Sequence, residues 1–301
     1  MTQEPMITIL TPTYNRAHLL FKLYLSLKQQ SLMDFEWLIV DDGSTDKTSA
    51  IVKTFSNDAF PIKYISKENG GKHTALNFSH PYIRGKLVFI VDSDDTLTRD
   101  AIETVSAYFW QYESKKEIAC WSFLRSRLPD QNRSYIDNDS FVSDYITYRI
   151  NKHIPGDCAE IVRADVFVKY NFPVIPGEKF MLESWLWNKM AKDGYKTAYI
   201  NKAIYIYEYL EDGLTRKARR LRMLNPQGAM IDARQILVNH DVCISVKFKY
   251  MILFWIYGFA ASENAIDIMN NSGRKTEMLF VLPVGYLMYR IWKKRYLTSE
   301  R

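Results

Sequence analysis

Uninterrupted apolar runs, each stopped abruptly by acids, glycines or proline, set the rhythm of the first hundred residues. Met6 to Leu10 ends in Thr11-Pro12-Thr13-Tyr14-Asn15-Arg16, and Phe35 to Val40 closes on Asp41-Asp42-Gly43-Ser44-Thr45-Asp46. Leu87 to Val91 is stopped by three carboxylates in four positions, Asp92, Asp94 and Asp95. Runs of five or six β-prone residues without alternation suit strands buried on both faces of a parallel sheet. Ile62 to Ser66 reads as a shorter strand, followed by Asn69-Gly70-Gly71-Lys72-His73. Pro12 cannot donate to a central ladder, so the first strand is expected to stop there.

Between the strands the spacing turns helical. Leu19, Leu20, Leu23 and Leu27 predict a helix from Ala17, and Ile51, Val52 and Phe55 a second, capped by Ser44 or Thr45. A third is expected from Thr74 to about Ser79. Strand and helix in succession argue for an α/β fold with right-handed crossovers.

Farther along, Ile102, Val105 and Phe109 predict a helix after Asp100. A less regular region follows, in which Asp130 to Asp139 reads as a polar loop or lid. Trp185, Leu186, Trp187 and Met190 predict a helix over 184–192 that Gly194 ends, and Tyr195 to Tyr207 is strand-like. Beyond Gly213 the pattern is helical, with two or three helices in the last sixty residues. The expected organisation is 1–98 and 99–210 as two halves of one α/β domain, then 211–301 as a helical extension.

Composition narrows the class. With 47% hydrophobic and 25% charged residues in 301, the chain is globular rather than disordered. Its net charge of +6 suits an anionic partner, and the excess clusters at Arg216, Lys217, Arg219, Arg220 and Arg222 and again at Arg290, Lys293, Lys294 and Arg295. The first cluster reads as a solvated helix face, an arm towards a diphosphate or a contact with anionic lipid. Cys120, Cys158 and Cys243 are scattered, as expected in a reducing compartment. No secretory signal and no long apolar span is recognised, so a cytoplasmic protein is expected, peripheral on the inner face of the membrane if attached at all. The aromatic stretches within 248–295 would make that contact, or else pack as a core or a homo-oligomer interface.

The candidate chemistry sits where strands end. Carboxylates as close as Asp92, Asp94 and Asp95 repel unless something positive holds them, and a hard divalent cation bridging to phosphate is one solution. A solvated turn in which Asp95 or Thr96 caps the next helix is the plain alternative. Gly70 and Gly71 let backbone N–H groups approach a phosphate or base, with Lys72 beside them. The five histidines show no metal-ligand spacing.

Taken together, TPTYNR at 11–16, DDGSTD at 41–46, NGGKHTALN at 69–77 and VDSDD at 91–95 resemble family 2 of the inverting glycosyltransferases, of bacterial surface-glycan or glycoprotein type. LESWLWNKMAKDGY at 182–195 resembles that family's segment with a Glu-Asp pair before a helix. The resemblance covers roughly the first 210 residues. It implies a GT-A fold: a Rossmann-like, mostly parallel central sheet flanked by helices, here with a helical C-terminal extension. It further implies a UDP-sugar donor, with Pro12 and Tyr14 bordering uracil and ribose and Asp41 accepting from the uracil N3–H. Lys72 would lie near base and phosphates, Asp92 on the ribose hydroxyls, and Asp94 on a divalent cation (Mn²⁺ or Mg²⁺), with Asp95 its neighbour.

Glu183 falls where the family most often has the Asp of its pair, with Leu182 in place of the Glu, and is the candidate catalytic base. An acid complementing the helix dipole is the plain alternative, and Glu178 and Asp157 are the next carboxylates to consider. The expected reaction moves a hexose onto a lipid-linked or glycoprotein glycan. Two other readings are weighed: a nucleotidyltransferase acting on sugar phosphates, whose N-terminal Gly-rich loop is missing from TPTYNRAHL, and a basic nucleic-acid-binding protein, which lacks a recognition motif. No nucleic-acid partner is expected.

Overall fold

The computed structural model describes residues 4–127, 136, 138–154, 158–207 and 214–298. The chain forms two compact units, one of Met1–Asp144, Pro155–Asn171 and Gly194–Glu208, the other of Tyr145–Ile154, Phe172–Asp193 and Tyr209–Arg301.

The first unit follows the sequence rhythm: β1 (Ile7–Thr13), α1 (Ala17–Lys28), β2 (Phe35–Asp41), α2 (Thr48–Val52), β3 (Ile62–Ser66), α3 (Lys72–Ser79) and β4 (Leu87–Ile90). Then come β5 (Thr96–Leu97), α4 (Ala101–Tyr112), β6 (Ile118–Ser126), β7 (Ser140–Ser143), β8 (Ala159–Arg163), the short α5 (Ala164–Phe167) and β9 (Lys196–Ile206). The strands join in one mixed sheet ordered β3-β2-β1-β4-β8-β6-β9-β5, with β7 added on β9. The first four positions are parallel throughout, β8 runs antiparallel to both β4 and β6, and β6 pairs parallel with β9.

Every residue of β1, β2 and β4 is buried, as the unalternating runs require. Leu20, Leu23 and Leu27 of α1 cover one face, where the Tyr24 ring stacks on Phe55 at 4.4 Å and Trp37 Nε1 donates to Thr11 Oγ1 at 2.9 Å.

Three local expectations are corrected. β1 continues through Pro12 to Thr13, because its pairing with β4 ends at Leu10 and the missing N–H disturbs no ladder beyond that point. Neither Ser44 nor Thr45 caps α2; Asp46 does, accepting from Thr48 N at 2.9 Å, while its other oxygen accepts from Ala17 N at the start of α1. Thr96 enters β5 and Asp100 precedes α4, so the capped-turn reading of Asp95 fails. Strands β6 and β8 occupy the stretch that looked irregular. Most of Asp130 to Asp139, and Asp157, lie outside the described residues.

The second unit is helical: α6 (Ser184–Lys192), α7 (Leu214–Leu224), α8 (Pro226–Val238), α9 (Ile244–Ala260), α10 (Ala265–Ser272) and α11 (Lys275–Trp292). Among the described residues, the last sixty thus hold three α-helices and a π-helical turn, Lys293–Leu297, and Pro283 sits inside α11. The core joins Met230 and Leu237 to Phe254, Trp255 and Tyr257, with Ile268, Met278 and Val281 against them. Among the described residues no helix is long and apolar enough to cross a membrane.

Candidate active site

The parallel strands β1, β2 and β4 deliver Tyr14, Asp41 and Asp92 at their carboxyl ends, where open α/β sheets bind ligands. Asn15 holds the first of these loops to the second. In the left-handed conformation (φ 52°), it donates its backbone N–H to Ser44 Oγ at 2.8 Å, and its side-chain oxygen accepts from Thr45 N at 2.8 Å. Pro12 is buried beneath this loop, whereas Tyr14 projects with 46% exposure.

Asp41 is buried, accepting from Ser44 N at 2.8 Å through one oxygen and from the Tyr64 hydroxyl through the other. Burial and the Asp41 charge raise the Tyr64 hydroxyl far above its ordinary range, so it stays a donor. A carboxylate has about four lone-pair sites, which leaves room for a further donor.

The Gly70 and Gly71 amides were expected to face a ligand. Instead Asp42 takes both, Gly70 N at 3.0 Å and Gly71 N at 2.7 Å, and also accepts from Lys67 Nζ at 2.8 Å and Asn69 Nδ2 at 3.0 Å. A carboxylate so satisfied fixes the loop between β3 and α3. Gly43 belongs to the same knot. Its φ is +81°, and a Cβ there would lie 2.9 Å from Asn69 N.

At the end of β4, Asp92, Asp94 and Asp95 can bring one oxygen each within 4.8 Å of the others. Two already face cations: Lys72 Nζ lies 2.5 Å from Asp92 Oδ1, and Arg125 Nη2 lies 2.7 Å from Asp95 Oδ2. Burial works to raise Asp92, but Lys72 and Arg125 outweigh it and hold that carboxyl below the usual range. Burial and the charges of Asp92 and Asp94 push Asp95 up to about 7 against the pull of Arg125. Asp94 makes no ion pair among the described residues, and burial followed by the Asp92 charge raises it. Two or three hard oxygens with one carboxylate short of positive charge fit a divalent cation, the group that would lower both raised carboxyls again.

Residues from distant strands complete the cluster, and local sequence did not single them out. Tyr205 on β9 accepts the Asp92 backbone N–H at 3.0 Å, and the Arg125 guanidinium of β6 lies 4.2 Å over the Tyr205 ring. Arg125, the charge that closes the run Ile118 to Leu124, was the available signal.

Glu183 belongs to the helical unit, half-buried immediately before α6. The next residue, Ser184, donates to the buried Asp232 at 2.9 Å. Glu178 accepts from Gln227 N and Gly228 N, both at 2.8 Å, and so caps α8.

Comparison with known proteins gives the family and the fold. The model of Glycosyl transferase family 2 matches residues 8–165, more than half of the chain, and the chain belongs to that family. Glycosyltransferase GlyA of Streptococcus pneumoniae is 28% identical over 237 residues, 72% of this chain but 32% of that protein, so the match spans about a third of that relative. The GalNAc(5)-diNAcBac-PP-undecaprenol beta-1,3-glucosyltransferase of Campylobacter jejuni is 26% identical, over 70% of this chain and 67% of its own length. Among solved structures, S. aureus TarS 1-349 in complex with UDP-GlcNAc shares the fold, with a TM-score of 0.66 and 17% identity over 97% of this chain and 92% of that one. The GT-A expectation holds, with the helical C-terminal extension included in the match.

Proposed function

We propose that the chain transfers a hexose from a UDP-sugar to a glycan acceptor, lipid-linked or on a glycosylated protein, with inversion at the anomeric carbon and dependence on a divalent cation. The observation that carries this reading is the meeting of Asp92, Asp94 and Asp95 within 4.8 Å at the carboxyl end of a parallel strand, with Asp94 in no ion pair among the described residues.

Each residue then has a task. Asp41 accepts the uracil N3–H beside Tyr14 and Pro12, and Asp92 takes the ribose hydroxyls. Lys72, at 2.5 Å from Asp92, stands ready for the phosphates. Asp94 would hold the cation, with Asp92 and Asp95 beside it. When bound, the cation supplies Lewis-acid stabilisation to the departing pyrophosphate. Glu183 takes the proton from the acceptor hydroxyl as its oxygen attacks the anomeric carbon, a contribution of roughly 10²–10⁴-fold for a positioned carboxylate. The bond to the pyrophosphate oxygen breaks and UDP leaves with that electron pair.

The UDP-GlcNAc bound by TarS supports the donor class, and the undecaprenol-linked acceptor in the name of the C. jejuni relative supports the lipid-linked acceptor. Thermal unfolding with Mn²⁺ and UDP, GDP or CDP tests the donor. A ligand at a hundredfold excess over its Kd stabilises by about 2.7 kcal/mol, so UDP is expected to raise Tm and the others not. Equal responses to all three would remove the role given to Asp41. Release of UDP from a UDP-hexose, rather than of pyrophosphate from UTP and a sugar phosphate, separates sugar transfer from nucleotidyl transfer.

A further inference from the structure

Helix α11 is two-faced. Its inner edge, Met278, Val281 and Gly285, is buried, and at Gly285 a Cβ would come within 2.5 Å of the Trp255 Cβ, so α11 meets α9 almost backbone to side-chain root. On the outer face Leu279, Phe280, Pro283, Val284, Leu287 and Ile291 are exposed. Their spacing of one, three or four residues makes one continuous apolar stripe over more than three turns. Phe280 is 86% exposed and Leu287 61%. Contiguous apolar surface of this kind marks an interaction site rather than ordinary scatter.

Charge says what covers it. Glu277, 3.0 Å from Arg274, is the last acid before Glu300, so residues 278 to 298 contain none. The stripe instead ends among exposed Arg290, Lys293 and Lys294, and Arg219 of the basic α7 lies 5.8 Å over the Trp292 ring at the same end. A two-fold dimer through this surface would set the basic ends against each other or, with the helices antiparallel, against the partner's Glu277, a single acid for Arg290, Lys293 and Lys294. A bilayer carrying anionic headgroups offers acyl chains to the stripe and phosphates to the basic end. The inner edge of α11 is held in the core, so the helix would lie in the membrane plane and not cross it.

We propose that the outer face of α11 docks the protein on an anionic membrane surface. Leu279, Phe280, Val284, Leu287 and Ile291 enter the acyl boundary, while Arg290, Lys293 and Lys294 meet the lipid phosphates. The inference needs no sugar nucleotide, so it stands or falls apart from the proposed activity.

The test is co-sedimentation of the full chain with vesicles of phosphatidylcholine alone and of phosphatidylcholine mixed with phosphatidylglycerol. Binding to the mixed vesicles is expected to exceed binding to the neutral ones by about tenfold or more and to weaken with salt. The pair Phe280→Asp and Leu287→Asp should abolish it with an unchanged melting curve, since both side chains point to solvent. Lys293→Glu with Lys294→Glu should remove the anionic preference in a folded protein. Absence of binding, equal binding to both vesicles, or binding that survives the Asp pair would overturn the proposal. So would a wild-type dimer that the Asp pair dissociates.

Discussion

Lys72 Nζ and Asp92 Oδ1 stand 2.5 Å apart, so the first residue of α3 closes the glycine loop onto the end of β4. The ammonium is thus held at the carboxylate cluster before any donor arrives. Both side chains remain partly open to solvent, and such pairs add little to stability. Lys72→Met is therefore expected to weaken UDP binding by roughly tenfold, the loss of one charge-assisted contact, while Tm stays nearly constant. Calorimetric titration beside a melting curve checks both halves.

Asp42 has the opposite profile. It is buried and receives Lys67, Asn69 and two backbone amides. Asp42→Ala would leave Lys67 only Thr74 and Glu68 as acceptors and take the acceptor from two half-buried N–H groups, a loss of roughly 1–3 kcal/mol. A urea midpoint shifted by that amount, and not a selective loss of turnover in a fully stable protein, is the expected outcome.

A pH effect follows from Asp232. Burial pushes its carboxyl up to about 6, although Ser184 and Arg222 pull the other way. A carboxyl raised in the folded state favours folding fully below its unfolded pKa of ~3.8, and that contribution fades as pH rises through ~6. The loss across this window is up to roughly 3 kcal/mol. Asp232→Asn should flatten the window, gaining on the wild type in Tm at about pH 8 and not at about pH 4. Melting curves of the two proteins across that range decide it.

The first four strands and their acidic or glycine-rich ends were legible because burial on both faces writes itself as an unbroken apolar run. Helix α6 and its stop at Gly194, which adopts φ +90°, were legible from spacing alone. What the local pattern could not carry was partnership. Nothing local marked Asp42, on which Lys67 and the glycine amides close, and Arg125 and Tyr205 meet Asp95 and Asp92 from strands far along the chain. Strand β6 was overlooked because its alanine, cysteine and serine residues favour no period, although the sheet buries eight of its nine residues. The exposed stripe of α11 was hidden for a related reason. An apolar helix sequence does not say which side its neighbours cover.

The division of labour between leaving group and proton is the centre of this account, and UDP titration in Mn²⁺ against the wild type, Asp94→Ala and Glu183→Gln, each followed by a turnover assay with a UDP-hexose, tests it most directly. The expected result is that Asp94→Ala loses binding and turnover together. Glu183→Gln should keep wild-type UDP affinity while turnover falls by roughly 10²-fold or more. Metal-dependent UDP affinity that survives in Asp94→Ala, or near wild-type turnover in Glu183→Gln, would contradict it.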